Sequence, residues 1–151
     1  MRGILRRVGG TPNSRRLLLI EAVRWLALAR LALIAVPFRS LAARFGTVHT
    51  PAQAKAAAPH SYSDSEVAVA GDVGWAVTRA ARYVPFRAVC LPQAIAAKAM
   101  LDRRGIPSAM HFGVAKNATG PIDAHAWLDA GPVEVTGFPL RSDFVEVACF
   151  L

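Results

Sequence analysis

Cysteine is scarce in this chain: Cys90 and Cys149 are the only two among 151 residues. A single pair cannot build the disulfide framework of a small secreted domain, and it fits a reducing cytoplasm. Also missing are a paired Cys/His zinc spacing, a phosphate-cradling glycine loop and any internal repeat. No metal or cofactor is therefore expected. Acid is almost absent from the first 50 residues, where nine arginines face only Glu21, whereas residues 51–151 hold nine bases and nine acids. The net charge of +8 thus belongs to an N-terminal arm. That arm has Trp25 alone interleaved among its helix arginines, which argues against a nucleic-acid partner.

An uninterrupted apolar run is missing too. Leu17 to Phe38 is broken by Glu21, Arg24 and Arg30, and each charge costs roughly 2.5–3.5 kcal/mol at the middle of a bilayer. Three such charges argue against a spanning helix, and no uninterrupted apolar stretch before a small-residue cleavage site marks a signal peptide. A helix lying on a membrane surface, or packing on a partner, stays open.

The length allows one domain with a sizeable core. Met1 to Asn13 is basic and glycine-containing, and mobile by composition. Asn13 or Ser14 could cap a helix from about Arg15 to Ala35, ended by Pro37; a second, Phe38 to Phe45, closes at Gly46. The predicted division is a basic, hydrophobic helical arm over 1–46, a linker over 47–62 and a catalytic domain over 63–151. Ser63 and Glu66 have the separation of a capping box, starting a helix that ends near Pro85. A further helix runs from Gln93 to Arg104, with Pro92 at its start and Gly105 as its stop. Four short strands follow, at Ser108–Ala115, Ile122–Asp129, Val133–Gly137 and Phe144–Phe150, with a tight turn at Ala130-Gly131-Pro132. Helices first and antiparallel strands after make an α+β order.

Within this order, two short strings supply a thiol and an imidazole. Cys90-Leu91-Pro92-Gln93 places Cys90 at or just before a helix start, where unpaired N–H groups and the helix dipole stabilise a thiolate. Ala124-His125-Ala126-Trp127 follows 35 residues later on a strand. This is the layout of papain-like nucleophilic catalysis. The bland alternative is a buried apolar cysteine and a structural histidine. Cys149, in the closing hydrophobic run, reads as a core residue, while His49, His60 and His111 read as uninvolved. The backbone N–H of Cys90 is the expected oxyanion donor, with Gln93 one turn further along the helix as a second. Trp127 could shield the imidazole from water. With a turn centred on Ala130 and Gly131, His125 would lie opposite Thr136, with Asp129 and Glu134 on the same face as candidates to orient the ring.

Residues 75–138 resemble the transglutaminase-like cysteine protease of lasso-peptide biosynthesis, the C-terminal domain of the microcin-processing type of maturation protein. The likeness rests on Pro85-Phe86-Arg87 before Cys90-Leu91-Pro92-Gln93-Ala94, then Arg103-Arg104-Gly105-Ile106-Pro107. It continues through Phe112-Gly113-Val114 and Ala124-His125-Ala126-Trp127 to Val135-Thr136-Gly137. The arm ending in Val36-Pro37-Phe38-Arg39 resembles the family's N-terminal region as well. The resemblance implies a papain/transglutaminase-like core and cleavage of a precursor's leader peptide by Cys90 and His125. Thr136 stands near a position where the family often has aspartate, which leaves the third residue open; Asp129 aligns with an acidic position common after the family's His-Ala-Trp and is favoured, with Glu134 as the alternative. The resemblance also implies a bacterial, cytoplasmic enzyme, peripheral to the inner membrane face if its arm touches lipid. The implied partners are a separate leader-recognition protein and an asparagine-synthetase-like cyclase. Two other classes stay open: a further acyl-transfer enzyme of this fold, such as a transglutaminase or N-acetyltransferase, and a non-enzymatic basic scaffold or binding module.

Overall fold

The computed structural model describes residues 12–57, 60–117 and 119–151. Most of the basic segment Met1 to Asn13 lies outside the described residues. Among the described residues, five helices and five strands form the α+β arrangement expected. The elements are α1 (Pro12–Ala35), α2 (Phe38–Ala42), β1 (Val48–His49), α3 (Pro51–Ala56), α4 (Asp64–Ala81), α5 (Cys90–Asp102), β2 (Ala109–Ala115), β3 (Asp123–Ala130), β4 (Val133–Thr136) and β5 (Val145–Phe150). Helices α4 and α5 pack on one antiparallel sheet and α1 packs against both helices. The sheet order is β1-β5-β2-β3-β4.

Local chemistry sets the helix boundaries. The Ser63 hydroxyl accepts from Glu66 N, and the Glu66 carboxylate accepts from Ser63 N at 2.8 Å, closing the capping box at α4. Two helices start earlier than expected. α1 begins at Pro12, since a proline is tolerated in a first helical turn. α5 begins at Cys90, so Pro92 lies within the first turn and Val89 is the N-cap. Gly105, at φ +67°, ends that helix, and Ile106 N–H returns to Leu101 O at 3.1 Å.

Residues 47–57, within the expected linker, carry a strand and a short helix. Thr50 and Gln53 form a second capping box around Pro51, starting α3. β1 pairs with β5, and Thr47 and Leu151 exchange main-chain hydrogen bonds at 3.1 and 3.2 Å. This edge strand is a fifth strand where four were expected, because two residues show no period of their own.

The arm is built into the same core as the rest of the chain. Leu18, Ala22 and Leu26 of α1 are buried with Ala70, Val73 and Val77 of α4, Ala97, Met100 and Leu101 of α5, and Met110, Leu128 and Phe150 of the sheet. Glu21 is the acid that anchors α1 to the end of α5. Arg104 donates to both of its carboxylate oxygens, at 3.0 and 2.6 Å, and this guanidinium holds the Glu21 carboxyl below its ordinary pKa. The opposite side of α1 leaves Leu17, Ile20, Leu31 and Ile34 exposed. No helix among the described residues is long and apolar enough to cross a membrane.

The β3–β4 hairpin departs from the expected register. Its turn residues are Gly131 and Pro132, with Ala130 opposite Val133, one position beyond the predicted centre. Gly131 supplies the positive φ of 60° that a two-residue hairpin turn requires. A bulge then sets Leu128, rather than His125, opposite Thr136.

Burial makes the role of α1 testable. Leu26 is fully buried, so Leu26→Ala should destabilise the full chain by about 2–5 kcal/mol in denaturant titrations. Leu31→Ala, on the exposed side, should stay within about 0.5 kcal/mol of the parent. Equal stability of both variants would mean that α1 is not part of the cooperative core.

Candidate functional site

Cys90 is a free, half-buried thiol at the first residue of α5. Val89 has no side-chain oxygen and makes no capping hydrogen bond, so nothing from the cap position occupies the first N–H groups. Pro92 has none, and Gln93 N already donates to Val89 O at 3.3 Å. Cys90 N–H and Leu91 N–H are therefore the donors that this helix start can offer to an anion. The Gln93 side chain, an expected oxyanion donor, has another engagement: its Nε2 donates to Ala88 O at 2.7 Å. It ties the incoming chain to the helix and so fixes where Cys90 sits.

His125 is near the start of β3, and connectivity brings it to the same end of the sheet as Cys90. Residues 103–108 join α5 to β2, so the two elements run in opposite directions. β3 is antiparallel to β2 and hence runs alongside α5, against which it packs. The starts of α5 and β3 share one end. Alternation along β3 nevertheless gives Ala126 and Leu128 to the core and sets His125 with Trp127 and Asp129 on the other face. No hydrogen bond joins Cys90 Sγ to His125 in the structure. The ring contacts Phe144 at 5.2 Å and Trp127 at 6.1 Å between centroids.

One ring nitrogen of His125 is fixed by the backbone. Its Nε2 lies 2.7 Å from Gly137 O. A carbonyl can only accept, so Nε2 carries the proton and Nδ1 of the neutral ring keeps its lone pair. Gly137 comes close because it has no side chain: at φ +85°, a Cβ there would stand 2.6 Å from Ala126 O. Neither carboxylate expected to orient the imidazole has that role in the structure. Asp129 faces His111, and Glu134 is opposite Asp129 on β4. The Thr136 hydroxyl is buried without a hydrogen-bond partner. The register shift accounts for this, since it brings Gly137 rather than a β4 side chain beside the start of β3.

The Cys–His pair that the fold does bring into contact is Cys149 with His111, two residues that the sequence marked as core and uninvolved. His111 Nε2 is 2.7 Å from Asp129 Oδ2, and Nδ1 is 2.6 Å from Glu146 Oε1. Its ring stacks on Trp127 at 5.4 Å and 8°. Burial works against a charged ring here, but its hydrogen bonds to Asp129, Cys149 and Glu146 outweigh it and push the pKa up to about 11. A ring held as imidazolium cannot serve as a general base near neutrality, and Cys149 is fully buried. This pair is therefore no second nucleophile. Only strand register could have revealed it, because His111 pairs with Trp127 on one side and Cys149 on the other.

A cavity of about 740 Å³ lined by Tyr62, Lys98, Asp102, Asp129 and Leu151 lies toward the opposite end of α5 from Cys90. A smaller one, about 250 Å³, lies between α4 and β4 and is lined by Trp75, Glu134, Thr136 and Gly137.

The charge on His111 has a sign that can be measured. Its folded pKa is above the unfolded value of about 6.5, so its stabilisation is complete below that pH. It is lost progressively as pH rises from about 6.5 through about 11. Unfolding midpoints should fall over that range in the parent, and the His111→Gln variant should be less stable at neutral pH with a flatter decline. Parallel pH profiles for the two proteins would show that His111 is not held charged.

No curated protein and no solved structure matches this chain. The sequence profile of the transglutaminase-like superfamily matches residues 32–149, most of the chain, and takes in the end of α1, the thiol at the start of α5, the imidazole on β3, strands β1 to β4 and all but the last residue of β5. The superfamily's cysteine-based acyl-transfer or protease chemistry fits a half-buried thiol at a helix start and a histidine with a fixed tautomer, and the chain belongs to the transglutaminase-like superfamily.

Proposed function

We propose that this protein is a cysteine peptidase that removes the leader from a lasso-peptide precursor. The observation that carries the catalytic part is the preparation of the two groups. Cys90 stands at a helix start with free N–H donors, and the His125 Nε2–Gly137 O bond of 2.7 Å leaves Nδ1 as the base. The leader-peptidase specificity is supported by the resemblance of residues 75–138 to lasso-peptide proteases. A separate leader-recognition protein and an asparagine-synthetase-like cyclase are the partners proposed, and the cytoplasm the compartment.

In the proposed mechanism, Cys90 Sγ on the helix side and His125 Nδ1 on the other face of β3 meet around their shared end of the sheet when substrate binds. Nδ1 takes the thiol proton and Sγ attacks the carbonyl carbon at the leader–core junction. The N–H groups of Cys90 and Leu91 receive the oxyanion. Collapse breaks the C–N bond, and the Nδ1 proton goes to the leaving amine. Water, deprotonated at Nδ1, then hydrolyses the thioester and frees the leader's carboxylate. Gly137 O stabilises the imidazolium formed at each step, the task that a carboxylate has in other cysteine–histidine pairs.

Mass spectrometry of a cognate precursor, incubated with this protein and its recognition partner, tests the reading. Cys90→Ala and His125→Ala should abolish cleavage, while Cys149→Ala, if folded, should cleave. Cleavage retained by Cys90→Ala would refute the mechanism. Release of product only when a labelled amine is supplied would instead identify an amine-accepting acyl transferase.

A second expectation concerns what orients the ring. Asp129→Asn and Glu134→Gln should both keep kcat within a few-fold of the parent. Gly137→Ala should lower it by about 10²-fold, the scale of an ångström-sized misplacement, with circular dichroism unchanged. A large loss from Asp129→Asn would return the orienting role to that carboxylate.

A further inference from the structure

The His111 cluster gathers more negative charge than its single cation balances. Asp129 and Glu146 both bind the ring, and among the described residues neither has a lysine or arginine ion partner. Even with the ring protonated, the group carries a formal charge of −1, and the Cys149 thiol is fully buried beside it. Uncompensated charge in a partly buried place is costly. A more highly charged cation than one proton would relieve it.

The donors present are those that a borderline-soft divalent ion selects. His111 Nδ1, a Glu146 carboxylate oxygen and Cys149 Sγ all lie within 4.8 Å of one another. Thiolate, imidazole and carboxylate together suit zinc rather than magnesium or calcium, which prefer oxygen alone. Strand pairing fixes the first two elements of the site, since His111 on β2 is directly opposite Cys149 on β5. Asp129 supplies the remaining feature. Its carboxylate bonds the far nitrogen, Nε2, at 2.7 Å, as in the carboxylate–histidine–metal arrangement that orients a ligand ring and raises its basicity.

We propose that His111 Nδ1, Glu146 and Cys149 Sγ bind one Zn²⁺ ion, with Asp129 positioning the His111 ring. Binding releases one proton from Nδ1 and one from Sγ, and a water completes a tetrahedral set. Ligand atoms around tetrahedral zinc are about 3.3–3.6 Å apart. The 2.6 Å contact between Nδ1 and Glu146 must therefore open by roughly 0.7 Å. Glu146 is a partly exposed side chain on a flexible stem and can make that movement. The site is distinct from Cys90 and His125, so it stands or falls independently of the peptidase reading.

The test uses full-length protein freed of metal by a chelator, then dialysed against Zn²⁺ or titrated with Co²⁺. Elemental analysis should find one zinc per chain, and Co²⁺ should give a thiolate-to-cobalt charge-transfer band. Cys149→Ala should lose the band and Cys90→Ala should keep it. Asp129→Asn should keep the band while binding about 10–100-fold more weakly. Absence of bound zinc in the parent, or a band that survives Cys149→Ala and disappears in Cys90→Ala, would overturn the site. Should Cys149→Ala not fold, Glu146→Gln takes its place. A zinc-dependent rise in Tm that is large in the parent and small in Glu146→Gln supports the proposal, and equal rises, or none, refute it.

Discussion

Small side chains on α5 govern how this molecule is assembled. Ala94, Ala96 and Ala97 are fully buried, as are Met100 and Leu101 further along. Alanine has little to keep neighbours apart, so α1, α4 and the sheet can all pack on one helix. A larger residue at these positions would force the layers apart, with overpacking costs of about 1–3 kcal/mol. Burial of α5 from several sides also fixes where its first residue must be. Cys90 sits at the start of this helix, with α1 locked to the other end by the Glu21–Arg104 pair.

The same sheet face holds two imidazoles in different surroundings. His111 is enclosed by two carboxylates and is held as a cation, whereas His125 has a carbonyl on one nitrogen and no carboxylate on the other. Trp127 stacks against both rings. Gly113, beneath the indole, leaves room for it, since a Cβ there would come within 2.8 Å of the Trp127 ring. The indole keeps the two rings apart.

Much of the architecture was legible in the chain because its signals are local. The Ser63–Glu66 capping box, the Gly105 stop and the alternation over 122–129 depend on residues within a few positions of each other, and these elements formed where they were read. The Thr50-Pro51-Ala52-Gln53 signal was equally local, yet the surrounding alanines and prolines disguised it as a linker. β1 had no local signal at all, since it exists only through its pairing with β5.

By itself, then, the sequence determined the helix caps, the strand order of the second half, the place of Cys90 at a helix start and that of His125 on a strand. These follow from backbone donors, proline and glycine geometry and hydrophobic period, which act over one or two turns. Tertiary structure alone decided which groups meet. A turn one position later than expected, with a bulge after Leu128, moved Thr136 away from His125 and brought up the Gly137 carbonyl, while the β2–β5 register joined His111 to Cys149 and Glu146. A shift of one residue in a strand reverses every side chain's face, and nothing in the local sequence fixes that shift until the strands are paired.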